Sequence, residues 1–178
     1  IQKVTYMALI RKKMRLGDVL INEGAITEEQ LQKGLELQKQ TGQRLGITLV
    51  DAGITTEDAI AKALSHQLGY DIIKLRDVAI EQSVLDLIHV DVLKKHIMIP
   101  IGYSAEEANV LRVAMADPMD MGAMDDINII TNLQVEPVVA TQQSIMMAID
   151  KYYGQKDVIS KLNEYTKGKE LLVEEEDM

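Results

Sequence analysis

Two arginines, two glycines and two glutamines recur in this chain at one spacing, and their chemistry suits recognition of a small anion with a planar base. The segment RLGDVLINEGAITEEQLQKGLELQ, residues 15–38, lies without a gap over RLGITLVDAGITTEDAIAKALSHQ, residues 44–67, and ten of the 24 positions are identical. Arg15 and Arg44 each offer a rigid fork of donors that fits a phosphate or the acceptor edge of guanine, and each can stack on a base. Gly17 and Gly46 permit close approach of the backbone, and free N–H groups at a helix start favour an anion. Gln38 and Gln67 end the copies with an amide that needs partners wherever it is buried, which a base edge can supply. A single Arg-Leu-Gly triplet says little. Two in register, each followed by the same stripe and the same amide, say much more, although a purely structural repeat with a leucine core is the competing reading.

The elements that must position these groups follow from the hydrophobic period. Each copy reads as a short helix from about Leu16 or Leu45, stopped near Gly24 or Gly53, then a longer amphipathic helix from near Thr27 or Thr55. Thr27 and Gln30 fit a capping box. Leu31, Leu35 and Gln38 fall at i, i+4 and i+7, as do Ile60, Leu64 and Gln67, so each set forms one helical stripe. The product is two tandem helical hairpins. Two quasi-equivalent half-sites match a ligand with two equivalent halves, and a cyclic dinucleotide has two bases and two phosphates related by a two-fold axis.

The pattern of Arg-Leu-Gly, paired aliphatics, glycine, two spaced leucines and glutamine, repeated across the five-residue spacer Lys39 to Gln43, resembles the MshEN domain. That domain stands at the N-terminus of ATPases of the PilB, MshE and GspE type, which drive type IV pilus assembly and type II secretion. Members with both motifs intact bind cyclic di-GMP. The resemblance implies that Arg15 and Arg44 contact guanine or phosphate, with the backbone at Leu16-Gly17 and Leu45-Gly46 close to the ligand. It further implies that Leu31, Leu35, Ile60 and Leu64 contact the bases and that Gln38 and Gln67 read polar edges. Ile60 stands where the pattern has leucine, a change that keeps volume and hydrophobicity.

From Asp71 the texture changes. Ile97 to Gly102 and Val110 to Ala116 read as strands joined by a polar turn, followed by a helix at about 121–130, a strand from Gln134 to Ala140 and a helix from Thr141 to Tyr153. The expected fold class is α+β: an all-helical N-terminal subdomain at 7–69, a small α+β subdomain at 70–154, and an acidic linker or marginal helix at 155–178 leading toward a motor domain. The run Ala116-Asp117-Pro118-Met119-Asp120 resembles a feature of the same ATPase region. Asp117 is either a strand-to-helix cap or a carboxylate that closes over the ligand and accepts guanine N–H donors.

Composition narrows the function classes. The net charge is -9, which opposes long-range attraction to nucleic acid, and the stripe from Glu28 to Gln38 carries only Lys33 as a cation, so a DNA reader is set aside. The exception is the cluster Arg11, Lys12, Lys13 and Arg15, with Arg44 as a companion. Met7 would make a natural initiator. There is no cysteine and no apolar run of the roughly 18 to 20 residues a membrane span needs, so the cytoplasm is the expected compartment; the resemblance implies a parent peripheral to inner-membrane machinery. No GxxxxGK[ST] loop is present, since Gly168-Lys169 is followed by Glu170, and no catalytic role is expected of this chain. His66, His89 and His96 make no ligand set, the acidic group Asp117, Asp120, Asp125 and Asp126 lacks the EF-hand pattern, and no metal is expected. Met115, Met119, Met121 and Met124 read as adaptable packing. The expectation is a cyclic di-GMP-binding regulatory domain whose partners are that ligand and its own motor in a hexameric parent. The alternative is an adaptor that docks the motor on inner-membrane platform proteins without binding nucleotide.

Overall fold

The computed structural model describes residues 15–176, without the side chains at 155–161 and 168–176; Arg11, Lys12 and Lys13 lie outside the described residues. Each sequence copy folds as a short and a long helix: α1 (Leu16–Asn22) with α2 (Glu28–Thr41), then α3 (Leu45–Asp51) with α4 (Glu57–Leu68). Arg15 and Arg44 are the N-cap residues of the two short helices, both in extended backbone. Gly24 and Gly53 then turn the chain at φ +70° and +72°, a left-handed conformation that costs a side-chain-bearing residue about 1 to 2 kcal/mol, which explains glycine at this place in both copies. The expected capping box is present: the Thr27 hydroxyl accepts the Gln30 N–H at 3.2 Å, and the Gln30 amide oxygen accepts the Thr27 N–H at 2.9 Å. In the second copy the cap is Thr56 rather than Thr55, because it is the Thr56 hydroxyl that reaches the Ala59 N–H, at 3.2 Å.

A 3-10 turn (Leu75–Asp77) and two short helices, α5 (Gln82–Leu85) and α6 (Val90–His96), lead into the sheet. Strands β1 (Met98–Tyr103) and β2 (Val110–Met115) form the expected hairpin, antiparallel, with an irregularity between Pro100 and Gly102. Helix α7 (Met121–Thr131) crosses over to β3 (Gln134–Val139), which pairs parallel to β2, Leu111 opposite Val135 and Met115 opposite Val139. Ile72 adds a single parallel bridge to Val139. The architecture is α+β.

The last helix corrects an expectation. Instead of ending at Tyr153, α8 runs from Gln142 to Glu176. The stretch after Tyr153 contains Lys, Glu and Leu in quantity and no proline, so its intrinsic helix propensity sustains the helix where amphipathic patterning has faded.

Two clusters of buried side chains hold the elements. Val19, Leu20, Leu49, Leu64 and Leu68 pack between the hairpins, joined by Val139 from the end of β3. Leu85, Ile88, Leu93, Met98, Leu111, Ile127 and Ile145 pack around the sheet. Val139 thus ties the helical hairpins to the carboxyl edge of the sheet, the edge at which crevices form beside parallel strands.

Candidate functional site

A cleft of about 270 Å³ opens where the second hairpin faces the residues that follow β2 and β3. Its size lies at the lower edge of the roughly 300 to 1,000 Å³ of small-ligand sites. Leu16 and Gln38 reach it from the first copy; Arg44, Leu45, Gly46 and Ile60 reach it from the second; and Asp117, Thr141 and Gln142 come from the second half of the chain. A methyl group at Gly46 would lie 3.5 Å from Leu16 and 3.8 Å from Ile60, so glycine keeps this wall open.

Arg44 is fixed across the junction. Its Nη2 donates to the Lys95 carbonyl at 3.0 Å and to Asp120 Oδ2 at 3.2 Å. Asp120 caps α7 by accepting the Ala123 N–H at 3.0 Å, and the same Oδ2 lies 3.2 Å from His96 Nδ1. His96, buried, sets its other ring nitrogen 2.7 Å from Asp126. Burial alone would push the Asp120 carboxyl up, but the Ala123 N–H, His96 and Arg44 together hold it below the usual carboxylate range. Among the described residues only Nη2 of Arg44 is engaged, which leaves donors of the fork for a ligand. Asp117, half-buried, accepts the Met119 N–H at 3.0 Å; burial pushes its carboxyl up, against that hydrogen bond. A carboxylate in such a place gains from N–H donors brought by a ligand.

The remaining residues singled out from sequence stand elsewhere. Arg15 is exposed, and its backbone N–H donates to Asp18 at 3.3 Å. Gly17 lies against Leu31, whose Cδ1 would meet an added methyl at 2.6 Å. Leu31 and Leu35 are half-buried, and Leu64 is fully buried in the hairpin core. Gln67 donates to Glu23, which also meets His66 Nδ1 at 2.7 Å; Gln67 first and His66 second draw the Glu23 carboxyl down, and Glu23 in turn raises His66.

Residues 68–159 match the MshEN domain family, more than half of the chain. The chain belongs to the MshEN family. The match covers the sheet-bearing half, so it is independent of the tandem motif at 15–67. Among similar proteins, the type IV pilus assembly ATPase PilB of Myxococcus xanthus is 37% identical over 142 residues, and that of Thermus thermophilus 32% over 141. These alignments cover 80% and 79% of this chain but only 25% and 16% of those relatives. Among solved structures, MshE with cdg superposes with a TM-score of 0.63 at 32% identity, covering 79% of this chain and 99% of that one. The N-terminal domain of XpsE shares the fold, with a TM-score of 0.64 at 21% identity over 78% of this chain and 94% of that one.

This MshEN domain carries site residues that the sequence reading passed over. Asp120 stands out in the sequence only as a member of an acidic group without a metal pattern, and nothing local marks it as the partner of Arg44; Glu57, in the cleft wall, is one of the ten positions identical between the copies. Thr141, Gln142 and the Lys95 carbonyl had no sequence signal, because only the packing of the sheet on the second hairpin brings them there.

Proposed function

We propose that this MshEN domain is a cyclic di-GMP sensor for a PilB-type motor, acting in the cytoplasm. The observation that carries the reading is the composition of the cleft: both motif copies and Asp117 line one concavity, and Arg44 in its lining is held by Asp120. The 32% identity to MshE, whose structure holds cdg, supports the same ligand. In this reading Arg44 binds phosphate or guanine, Asp117 accepts guanine N1–H and N2–H, and Leu16, Leu45 and Ile60 cover a base. Arg15 swings in from its exposed position to serve the second half of the ligand, while Gln38 and Gln67 read polar edges. Leu31, Leu35 and Gly17 shape the first half-site, and Leu64 supports it from within the core. The parent's hexamer and its contacts with platform proteins belong to the same proposal, and the ligand biases the motor only through different affinities for its two states.

Isothermal titration with cyclic di-GMP, with cyclic di-AMP and GTP as controls, tests the reading. One ligand per chain, lost in Arg44→Ala while the fold persists, is the expected result. Ligand at about 100 times its Kd should also stabilise the fold by about 2.7 kcal/mol. No heat and no thermal stabilisation would leave the docking adaptor as the better account.

A further inference from the structure

A second and larger concavity, about 780 Å³, is lined by α4, the segment around the 3-10 turn, and α8, and it shares Ala61 and Thr141 with the first. Its charge runs against the chain. The protein has 28 acidic and 19 basic residues, yet this cleft presents Lys62, Lys74, Arg76 and Lys151 against the single carboxylate of Asp58. Arg76 also faces its neighbour Asp77 at 4.0 Å, whereas the three lysines make no ion pair among the described residues. Lys151 instead sits 5.3 Å over the Tyr152 ring. The same concavity is lined by two large apolar side chains that stand in water, Ile72 at 47% and Met147 at 64% exposure. Exposed apolar side chains and a surplus of cations in one concavity are the complement of a peptide that carries both aliphatic residues and carboxylates.

We propose that this groove docks an acidic amphipathic segment of a partner protein. Charge complementarity selects the occupant. An anionic bilayer is disfavoured because a flat surface leaves a concavity of about 780 Å³ unfilled. A free phosphate would leave Ile72 and Met147 exposed. The proposal stands apart from dinucleotide binding, since none of the four cations lines the first cleft.

Fluorescence anisotropy on the 178-residue chain tests it, with a short labelled helical peptide bearing leucines on one face and glutamates on the other. Saturable binding is expected, weakened about tenfold or more by the pair Lys62→Glu and Lys151→Glu. Ile72→Ser with Met147→Ser should weaken it separately, and Lys33→Glu, a charge reversal at an exposed position of α2 outside the groove, should leave it unchanged. Thermal melts of each variant confirm that the fold survives. Equal binding of polyglutamate would overturn the proposal by showing charge alone at work, and so would binding indifferent to charge reversal, absence of binding, or binding of phosphatidylserine vesicles in place of the peptide.

Discussion

The Arg44–Asp120 pair joins the second hairpin to the cap of α7 and sets the geometry of the cleft, so its strength is the quantity to measure first. Asp120→Asn removes the charge and keeps the cap, since asparagine caps as well as aspartate. Arg44→Met removes the fork and retains much of the stem. The pair is 3.2 Å long, with side-chain exposures of 35% for Arg44 and 19% for Asp120. Exposed pairs contribute about 0.2 to 1 kcal/mol and hydrogen bonds to buried charges about 1.5 to 3. A site between these limits, discounted for the solvent reaching Arg44, gives a coupling of about 1 kcal/mol. Each single variant also loses a further contact, Asp120→Asn with His96 and Arg44→Met with the Lys95 carbonyl, and the double-variant cycle cancels both. Asp120 has a depressed folded-state pKa, so its contribution is fully present above the unfolded carboxyl value near 4 and is lost as pH falls through the lower folded value. Urea unfolding of wild type, both single variants and the double variant at neutral pH gives the coupling directly. A value below about 0.3 kcal/mol at neutral pH, inside the usual error of additivity, would refute the claim that this pair holds the hairpin to the sheet.

Two further substitutions separate packing from electrostatics. Gly34→Ala should destabilise despite better helix propensity, because the new methyl would lie 2.6 Å from Leu49, a fully buried side chain at the α2–α3 contact. Overpacking of about 1 to 3 kcal/mol against a propensity gain of about 1 leaves a net loss of about 1 kcal/mol, a drop of about 2 to 4 °C by calorimetry; an unchanged or raised Tm would show that Leu49 moves freely. Asp117→Asn should act in the opposite direction on stability. Burial raises the folded pKa of Asp117, so the folded state binds its proton more tightly than the unfolded state, and stability falls as pH rises from about 4 through the raised value. The asparagine variant should therefore be more stable at neutral pH, with a flatter melt-versus-pH profile, and weaker for cyclic di-GMP in titration; a wild-type profile already flat across that range would count against the burial argument.

The local part of this architecture was legible because its determinants are local. The capping box at Thr27 and Gln30, the glycine turns at Gly24 and Gly53, and the hairpin of β1 and β2 each depend on residues a few positions apart. What stayed hidden depends on long loops closing. The Arg44–Asp120 contact spans 76 residues, and β3 could join the sheet on either side of the hairpin as far as its alternating pattern shows. The extent of α8 was missed for a different reason: apolar periodicity marks a helix face that packs, and this helix outruns its packing. Half-exposed positions such as Gln142 carry no periodic signature at all, yet they form the cleft wall.

The two copies are alike in sequence and unlike in setting, and single substitutions between them account for the difference. Glu23 aligns with Ala52, so the first copy supplies a carboxylate that ties down Gln67, while the second supplies nothing equivalent to hold Gln38, which lines the cleft. Asp18 aligns with Ile47, so a polar group accepts the backbone N–H of Arg15 where an apolar one lines the cleft below Arg44. Arg44 has a fixed partner in Asp120, and Arg15 stands exposed at the start of the described chain. A two-fold ligand would therefore meet one half-site already ordered and one that must be assembled. The ordered half contributes affinity without a further entropic cost. The other half must immobilise the Arg15 side chain and draw Gln67 from Glu23, so on our proposal Arg44 and Gln38 capture the dinucleotide and Arg15 and Gln67 close over it.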